Sequence, residues 1–466
     1  MKKLILVAFL ISIASYSCKK KGVFTKNNLE FSSDTLIFDT VFTTVGSTTK
    51  RLKFYNNNTL PIQVDEIELV GGDASPFNLN VDGISGKYHE NFEMAGQDSL
   101  FLFVEVTLSV NGQNLPLIVE DSIRFRTNGK DQYVNLAVWG QDAYFHVNEL
   151  VSGTWANDKP HVIYGLAAVG HFDPFGTGQE VKDQTLIIPA GTTIHSHKNS
   201  ALYVYKSSLI VEGTLGNEVH FKHDRLEPFY DEQSGQWRGI ILSQANYSTI
   251  EYAIIENAAV GLQVDTTTAT YTLDLKNTII QNSQFYNLFL VAGPKVVAEN
   301  CVFGDAGLIS TYLFAGGEAQ FKHCNFVNYW TGSRGGPAFA VKNWWEFEDF
   351  IYTRDVINTS FDNCIMYGNA LTEFVIDTFV NSPALFDVTS SNCLIKREEP
   401  YGIDYNYLLN TIWNDLPLFI DTDLKDFNFE AGSPLDNAGI STAGVVLDIE
   451  GNSRNLTSPD IGAYEN

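Results

Sequence analysis

The sequence predicts an all-β protein in which an N-terminal β-sandwich precedes a right-handed parallel β-helix. Three observations lead to this prediction. Hydrophobic residues make up 44% of the 466 positions and charged residues 18%, which is the composition of a folded protein. Short alternating strands separated by turn residues fill positions 29–145. A strand-sized motif then recurs along the second half of the chain.

The first 17 residues have the organisation of an export signal. Lys2 and Lys3 precede an apolar stretch, positions 4–14, that is too short to span a bilayer. Small residues lead into Cys18, and this order resembles a bacterial lipoprotein signal, in which the peptide is cleaved before the cysteine and the cysteine receives the lipid. The resemblance implies that Cys18 attaches the protein to a membrane, with residues 18–28 as a tether. An ordinary secretory signal is the alternative.

The charge balance of the chain is strongly acidic. Lys and Arg number 30 against 55 Asp and Glu, a formal net charge of −25. This balance argues against nucleic acid as a partner, because phosphate binding needs a basic face. It also disfavours polyanionic ligands unless a divalent cation lies between ligand and protein.

Residues 29–148 are predicted to form the β-sandwich. Apolar and polar residues alternate in segments such as 51–55 and 99–104, and turn residues cluster at 56–58 and 128–130. The order of these segments resembles the Ig-like domains of the abnormal-spindle and hydin type. That resemblance implies a spacer or docking module, and no site residue is assigned here.

The β-helix, residues 149–466, is predicted from a repeated motif of polar residue, small residue and apolar strand. The small residue falls at positions 253, 278, 301, 324, 364 and 393, with gaps of 25, 23, 23, 40 and 29 residues. This period is typical of one coil of a parallel β-helix, whose inner face is buried only when coils stack. The segment at about 425–466 resembles the closing segment of secreted bacterial β-helix proteins.

Cysteine occupies the small position in four coils. Stacked strands lie about 4.8 Å apart, whereas the Cβ atoms of a relaxed disulfide lie roughly 3.8 Å apart. We therefore expect a ladder of reduced thiols directed into the core: Cys301, Cys324, Cys364 and Cys393. Asn recurs just before the small position, and Asn or Asp recurs five residues later. Since Asn tolerates a left-handed backbone, these positions are expected to be structural corners.

Residues 150–466 as a whole resemble the pectate-lyase-like right-handed β-helix superfamily. The order of export signal, Ig-like domain and β-helix is similar to that of envelope lipoproteins of the Bacteroidetes group, which implies an outer-membrane lipoprotein facing the periplasm or the cell surface. Enzymes of the superfamily are lyases with Asp- or Glu-bound Ca²⁺ and an Arg or Lys base, or hydrolases with Gly-His-Gly and Arg-Ile-Lys segments. Neither tripeptide occurs in this sequence.

The 40-residue gap between Cys324 and Cys364 leaves room for one coil and an excursion of about 17 residues. Excursions from a solenoid often form its binding face. Indole rings can stack on sugars while Arg and carboxylates bond to hydroxyls, so the excursion is a candidate glycan site. The alternative is a satellite core that folds the loop back onto the helix. The candidate ligand-binding residues are Trp330, Arg334, Trp344, Trp345 and Glu346.

A second candidate loop, residues 223–237, is dense in Asp, Glu, Arg and His between two strands. Ca²⁺, which takes oxygen ligands, is the one cofactor considered for it. An ion-pair network that only orders the loop is the alternative. The candidate ligand-binding residues are Asp224, Arg225, Glu227 and Tyr230, and the candidate Ca²⁺ ligands are Asp231 and Glu232.

The leading functional hypothesis is a non-catalytic, lipid-anchored envelope protein whose β-helix binds a polysaccharide. One alternative is a polysaccharide lyase or glycoside hydrolase that uses both loops. Another is a structural or assembly protein of the envelope, with the Ig-like domain docking a protein partner. An enzyme needs Arg or Lys beside converging carboxylates, whereas a binding protein needs an aromatic platform without them. No catalytic residue is assigned.

Overall fold

The computed structural model describes residues 24–38, 40–43, 46–47, 49–109, 117–172, 180–265, 272–379, 382–398 and 408–466. The predicted signal segment and Cys18 lie outside the described residues. The chain divides into two compact units, Met1–Asp142 and Ala143–Asn466, so the second unit begins at 143 where the sequence predicted 149. The described helices are the 3₁₀ turns Gly72–Ala74 and Pro228–Tyr230. In these ranges no helix has the length and apolar character needed to cross a membrane.

The first unit consists of two sheets, mainly antiparallel, that share one core, as the predicted sandwich requires. Successive side chains of a strand point to opposite faces, and Phe54, Phe77 and Phe125 are fully buried between the sheets. The first sheet has the order β1 (Glu30–Phe31), β4 (Lys50–Asn56), β9 (Asp98–Val106), β6 (Phe77–Val81), β7 (Ile84–Gly86). The second has the order β2 (Thr35–Ile37), β11 (Lys130–Gln141), β10 (Leu117–Thr127), β5 (Ile62–Leu69), β8 (Tyr88–Met94), with β3 (Val41–Phe42) beside β11.

The second unit is a parallel β-helix, as the repeat predicted. A complete coil contributes one strand to each of three parallel ladders, named A, B and C, which enclose an apolar core. The coils begin at β12 (Tyr144–Leu150) and at β14 (His161–Val169), which pairs with the first strands of both A and B. Ladder A contains β18 (Thr193–Ser196), β21 (Val219–His223), β24 (Ala253–Glu256), β27 (Ile279–Ser283), β30 (Val302–Ala306), β33 (Asn325–Asn328), β38 (Ile365–Gly368), β41 (Leu394–Ile395) and β43 (Ile412–Trp413).

Ladders B and C complete each coil, and three short hairpins extend from them or follow them. Ladder B contains β19 (Ala201–Tyr205), β22 (Gly239–Ser243), β25 (Val260–Asp265), β28 (Tyr286–Val291), β31 (Ile309–Phe314), β34 (Phe339–Lys342) and β39 (Phe374–Asp377). Ladder C contains β13 (Gly153–Thr154), β17 (Thr185–Pro189), β20 (Ser208–Glu212), β23 (Ser248–Glu251), β26 (Leu273–Lys276), β29 (Lys295–Glu299), β32 (Glu318–Lys322), β37 (Val356–Asp362), β40 (Phe386–Ser391) and β42 (Leu408–Leu409). The hairpins are β15 (His171–Phe172) with β16 (Glu180–Val181), β35 (Trp344–Phe347) with β36 (Phe350–Thr353), and β44 (Phe419–Asp421) with β45 (Asp426–Phe429).

The corners between the ladders explain the repeated Asn. The residue before each small position has a left-handed backbone, and five residues later Asn257, Asn282 and Asp305 have φ values of 62°, 56° and 51°. The amide of Asn282 donates to Asn257 Oδ1 of the preceding coil at 2.6 Å. The corner residues before the small positions are Tyr252, Asn277, Asn300, His323, Asn363 and Asn392, with φ between 45° and 54°.

The four cysteines form the predicted ladder of free thiols, fully buried in the core of the β-helix. Each thiol donates to a backbone carbonyl two residues earlier, as Cys301 does to Glu299 at 3.2 Å. Because every thiol has an acceptor within its own stack, the ladder fills the core without needing a covalent link.

The closing segment, residues 427–466, covers the outer face of ladder A. Outward-facing Val302, Val327 and Ile365 are buried against apolar side chains of this segment. Arg454, only 4% exposed, donates to Asn300 Oδ1 at 2.9 Å and forms an ion pair with Glu465 at 3.1 Å. The corner amides therefore anchor the chain terminus as well as one another.

The long gap after Cys324 contains two excursions where the sequence predicted one. A loop at 329–338 joins ladder A to ladder B, and the chain then re-enters the stack as β34. The β35–β36 hairpin leaves afterwards, between ladders B and C. The apolar β34 returns to the core because Phe339 and Val341 fill the same inward positions as Thr311 and Leu313 below them. The predicted candidates are consequently divided between two places.

Candidate functional site

A cavity of about 410 Å³ lies at the corner between ladders A and B. Three segments that are far apart in the sequence form its walls. They are residues 223–237, which we call the acidic loop, the loop after β33, and the turn between β44 and β45. We call this cavity the groove. It is lined by Glu232, Gln233, Ser234, Asn282, Asp305, Tyr329, Trp330, Thr331, Gly332, Thr422, Asp423 and Lys425.

Corner hydrogen bonds hold the acidic loop at the groove. Asn257 donates its side-chain amide to the carbonyl of Asp231 at 2.9 Å, and its own carbonyl accepts from the backbone of Gln236 at 2.8 Å. The carboxylate of Glu232 then forms an ion pair with Lys425 at 2.8 Å. This pair joins the loop to the β44–β45 turn across the groove.

Aromatic rings form the opposite wall. A Cβ added at Gly332 would lie 2.8 Å from Trp330 Nε1, and one added at Gly307 would lie 3.4 Å from Trp330 Cζ2, so both glycines allow the indole to lie close to the backbone. The Tyr329 ring packs against Phe427 with centroids 6.3 Å apart. These contacts fix the position of the rings before any ligand arrives.

Asp305 is the most enclosed carboxyl group of the groove, with 8% of the residue exposed. Its Oδ1 accepts a hydrogen bond from the backbone N–H of Tyr329 at 2.7 Å. Burial raises the pKa of Asp305, and this N–H and the charge of Lys425 oppose the rise. A carboxyl group with a raised pKa thus faces a cavity that also contains Glu232 and Asp423.

The candidates Asp224, Arg225, Glu227 and Tyr230 do not line the groove, and each has a partner elsewhere. Asp224 accepts from His197 Nδ1 at 2.7 Å and from the Tyr164 hydroxyl at 3.3 Å, and its side chain is 7% exposed. Arg225 donates to the Tyr230 hydroxyl at 2.8 Å, and its Nε lies 3.6 Å from Glu227 Oε2. Such contacts order the loop, as the alternative of a purely structural ion-pair network requires.

The two candidate Ca²⁺ ligands have different neighbours. Asp231 Oδ1 lies 4.0 Å from His223 Nε2, whereas Glu232 pairs with Lys425. Over the part of the chain that the structure describes, no three His, Cys, Asp or Glu side chains converge as a metal site would require. Ca²⁺ binding here stays a prediction.

Arg334 is placed in the β-helix wall rather than on an open surface. Its guanidinium pairs with Glu373 at 2.7 Å, where the two side chains are 7% and 0% exposed. Glu373 also accepts from the backbone N–H groups of Ala338 at 2.8 Å and Ala370 at 2.7 Å. This buried pair fixes the loop that carries Trp330.

Trp344, Trp345 and Glu346 lie together on the β35–β36 hairpin, away from the residues that line the groove. Trp344 Nε1 donates to Asp377 Oδ1 at 2.9 Å, with Lys342 Nζ 3.5 Å from the ring centroid. Trp345 stacks on Tyr352 at 5.3 Å, and Glu346 is exposed. The hairpin is therefore a second aromatic surface, distinct from the groove.

An aromatic face on ladder B was missed by the sequence reasoning. Tyr286 stacks on Phe289 at 4.5 Å, and the next strand places Tyr312 5.9 Å from Phe289 and 5.4 Å from Phe314. All four rings are half-buried on the outer side of the coils. Outward-facing aromatics in two adjacent coils were the available signal.

Comparisons with known proteins support the fold. The family model described as "Right handed beta helix region" matches residues 260–415. No curated protein matches the sequence.

Among solved structures, a family 123 glycoside hydrolase from Clostridium perfringens is similar at 6% identity over 26% of this chain and 30% of its own, with a TM-score of 0.18. A protein from Porphyromonas gingivalis is similar at 12% identity over 27% and 60%, with a TM-score of 0.19. The catalytic domain of a GH87 α-1,3-glucanase is similar at 10% identity over 75% and 81%, with a TM-score of 0.18. The chain covers less than two thirds of the length of the first two of these structures. The predicted all-β architecture with a right-handed parallel β-helix is confirmed.

Proposed function

We propose that this chain is a lipid-anchored envelope protein whose β-helix binds a glycan in the groove without cleaving it. The composition of the groove carries the proposal: the indole of Trp330 lies beside hydroxyl, amide and carboxylate groups in one cavity of about 410 Å³. A sugar offers an apolar ring face to aromatic side chains and hydroxyl groups to polar ones. That volume falls within the range of small-ligand sites.

The pairing of the nearby cations supports binding over cleavage by a lyase. Lys425 is paired with Glu232 and Arg334 with Glu373, so both cations are already neutralised. A lyase needs such a group, uncharged and within hydrogen-bond reach of the proton that it removes. Each of these two cations already has a carboxylate partner, so its ion pair would have to break before it could take a proton from a substrate.

One observation favours a glycoside hydrolase as the second candidate. Asp305 is a buried carboxyl group whose raised pKa suits a proton donor, and Glu232 and Asp423 line the same cavity. In this alternative Asp305 protonates the leaving oxygen. Release of reducing ends from a bound glycan, abolished in Asp305→Asn, is the result that would replace the binding proposal.

The membrane part of the proposal depends on the sequence around Cys18, which resembles a lipoprotein signal. We place the protein at the outer membrane through a lipid on this residue. Labelling cells with a radioactive fatty acid tests it: the chain is expected to carry the label and Cys18→Ser to lose it. An unlabelled parent chain would refute the anchor and leave glycan binding untouched.

The binding test is a glycan panel, with binding and product release both measured in the presence and absence of Ca²⁺. Trp330→Ala is expected to weaken binding by at least about fivefold, since a stacked aromatic at a site centre contributes about 1 kcal/mol or more. Trp413→Ala removes an indole that does not line the groove and serves as the control. Loss of binding in Trp345→Ala alone would move the site to the hairpin.

A further inference from the structure

The groove carries a net negative charge. Of the described residues that line it, Glu232, Asp305 and Asp423 are acidic and Lys425 is the one cation. Lys425 is bonded to Glu232 at 2.8 Å, and its side chain is only 15% exposed, whereas that of Glu232 is 73% exposed. The ammonium group is therefore covered and paired. Among the described residues neither Asp305 nor Asp423 forms an ion pair, although the charge of Lys425 acts on Asp305.

Asp305 carries a charged group at a corner where the neighbouring coils have a neutral one. The same corner is occupied by Asn257 and Asn282 in the two preceding coils and by Asn328 in the next. The hydrogen bond from Tyr329 N to Oδ1 needs only a carbonyl-type oxygen, which Asn also has. Asp305 is thus a carboxyl group where the fold needs only an amide. Of the two corner residues that line the groove, Asn282 and Asp305, only Asp305 carries a carboxyl group.

Trp330 adds a second feature that points to a cationic ligand. Its ring lies in the same cavity as Asp305 and Asp423. An ammonium group is attracted to the face of an indole, and the attraction grows when solvent is excluded. The carboxylate of an anionic sugar would meet no available cation in this groove, because Lys425 is already bonded to Glu232.

Resting on the proposed glycan function, we infer that the groove selects a glycan bearing free amino groups over neutral or uronic-acid glycans. The ammonium group lies between Asp305, Asp423 and the face of Trp330, while the neutral side chains of the groove bond to hydroxyls. Each of the two carboxylates contributes a factor of roughly two to five, so the two together give about tenfold selectivity over the matched neutral glycan.

The test compares three oligosaccharides of equal length by calorimetry with the full chain: oligomers of glucosamine, of N-acetylglucosamine and of galacturonic acid. The amino form is expected to bind about tenfold more tightly than the acetylated form, with an advantage that shrinks as salt is raised. Equal or tighter binding of the acetylated or the acidic form would overturn the inference while leaving the glycan function standing. No binding of any of the three, together with silence of the wider glycan panel, would overturn both.

Two variants separate charge from structure. Asp305→Asn and Asp423→Asn are each expected to reduce the affinity for the amino form by two- to fivefold more than they reduce the affinity for the acetylated form. Asp305→Asn places at this corner the residue that the neighbouring coils use, so the fold is expected to tolerate it. Asp387→Asn, an exposed acid on ladder C, removes the same charge outside the groove and is expected to change neither affinity. An equal effect of all three variants would attribute the selectivity to overall charge and overturn the inference.

Discussion

Replacing Arg334 by Met removes one partner of a buried ion pair and tests whether this residue holds the fold or contacts ligand. Glu373 is fully buried and Arg334 is 7% exposed, at 2.7 Å from each other. Burial already raises the pKa of Glu373, and Arg334 opposes that rise. Breaking a buried pair from one side leaves an uncompensated charge and costs about 3–5 kcal/mol. We expect Arg334→Met to lower the free energy of unfolding by that amount in urea denaturation followed by circular dichroism.

Two further variants make this result interpretable. Adding Glu373→Gln to Arg334→Met is expected to recover about 1 kcal/mol, because it removes the unpaired buried charge and its single carbonyl oxygen can still accept from one of the two N–H groups that bond to Glu373, those of Ala338 and Ala370. Arg238→Met, at an exposed arginine of the same unit, is expected to change stability by less than about 0.5 kcal/mol. An Arg334→Met protein that is as stable as its parent but has lost glycan affinity would refute the structural role.

Three other predictions follow from buried groups of the β-helix. The four thiols of the cysteine ladder are fully buried, so we expect no reaction with a thiol reagent until the chain is unfolded; labelling of the native β-helix would contradict the packing. Burial lowers the pKa of His195 and His323 to about 3, so the unfolded chain takes up protons first as pH falls below about 6.5. This stability is fully present above that pH and is lost between about pH 6.5 and 3, by up to about 5 kcal/mol per histidine. His323→Asn, which installs the usual corner residue, is expected to flatten this dependence, and an unchanged profile would show that another group controls it. Arg454→Ala leaves Asn300 and Glu465 without their buried partner and is expected to speed hydrogen exchange across the closing segment, whereas unchanged exchange would mean that apolar packing alone holds it.

The coils were predictable because their determinants are local. A small residue, a preceding Asn and an apolar strand are separated by fixed distances, and each has a physical reason to occur at its place in the coil. The same reasoning placed Cys301 and its equivalents in the core and Asn300 and its equivalents at left-handed corners, where the structure has them.

The groove was not predictable because its walls meet only in three dimensions. Glu232 and Lys425 are 193 positions apart, and Arg334 finds its partner Glu373 across a coil that the sequence does not mark. The sequence pointed to both Trp330 and Trp344 but did not show that a strand of the stack, β34, separates them. The four residues of β34 look like part of one long excursion when only the sequence is considered. The sequence predicts only a structural corner at Asp305, and its place in the groove depends on the loops that pack around it.

The closing segment changes how the β-helix responds to force and to partial unfolding. A stack of coils that touch only their neighbours behaves as a one-dimensional array, which can melt or peel from either end. Here Arg454 bonds to Asn300, the backbone of Ala463 to Asn325, and Asn363 to the carbonyl of Ile440, so one strip of chain is fastened to three successive coils. We therefore expect these three coils to unfold cooperatively, as one unit, when the β-helix is pulled or partly unfolded.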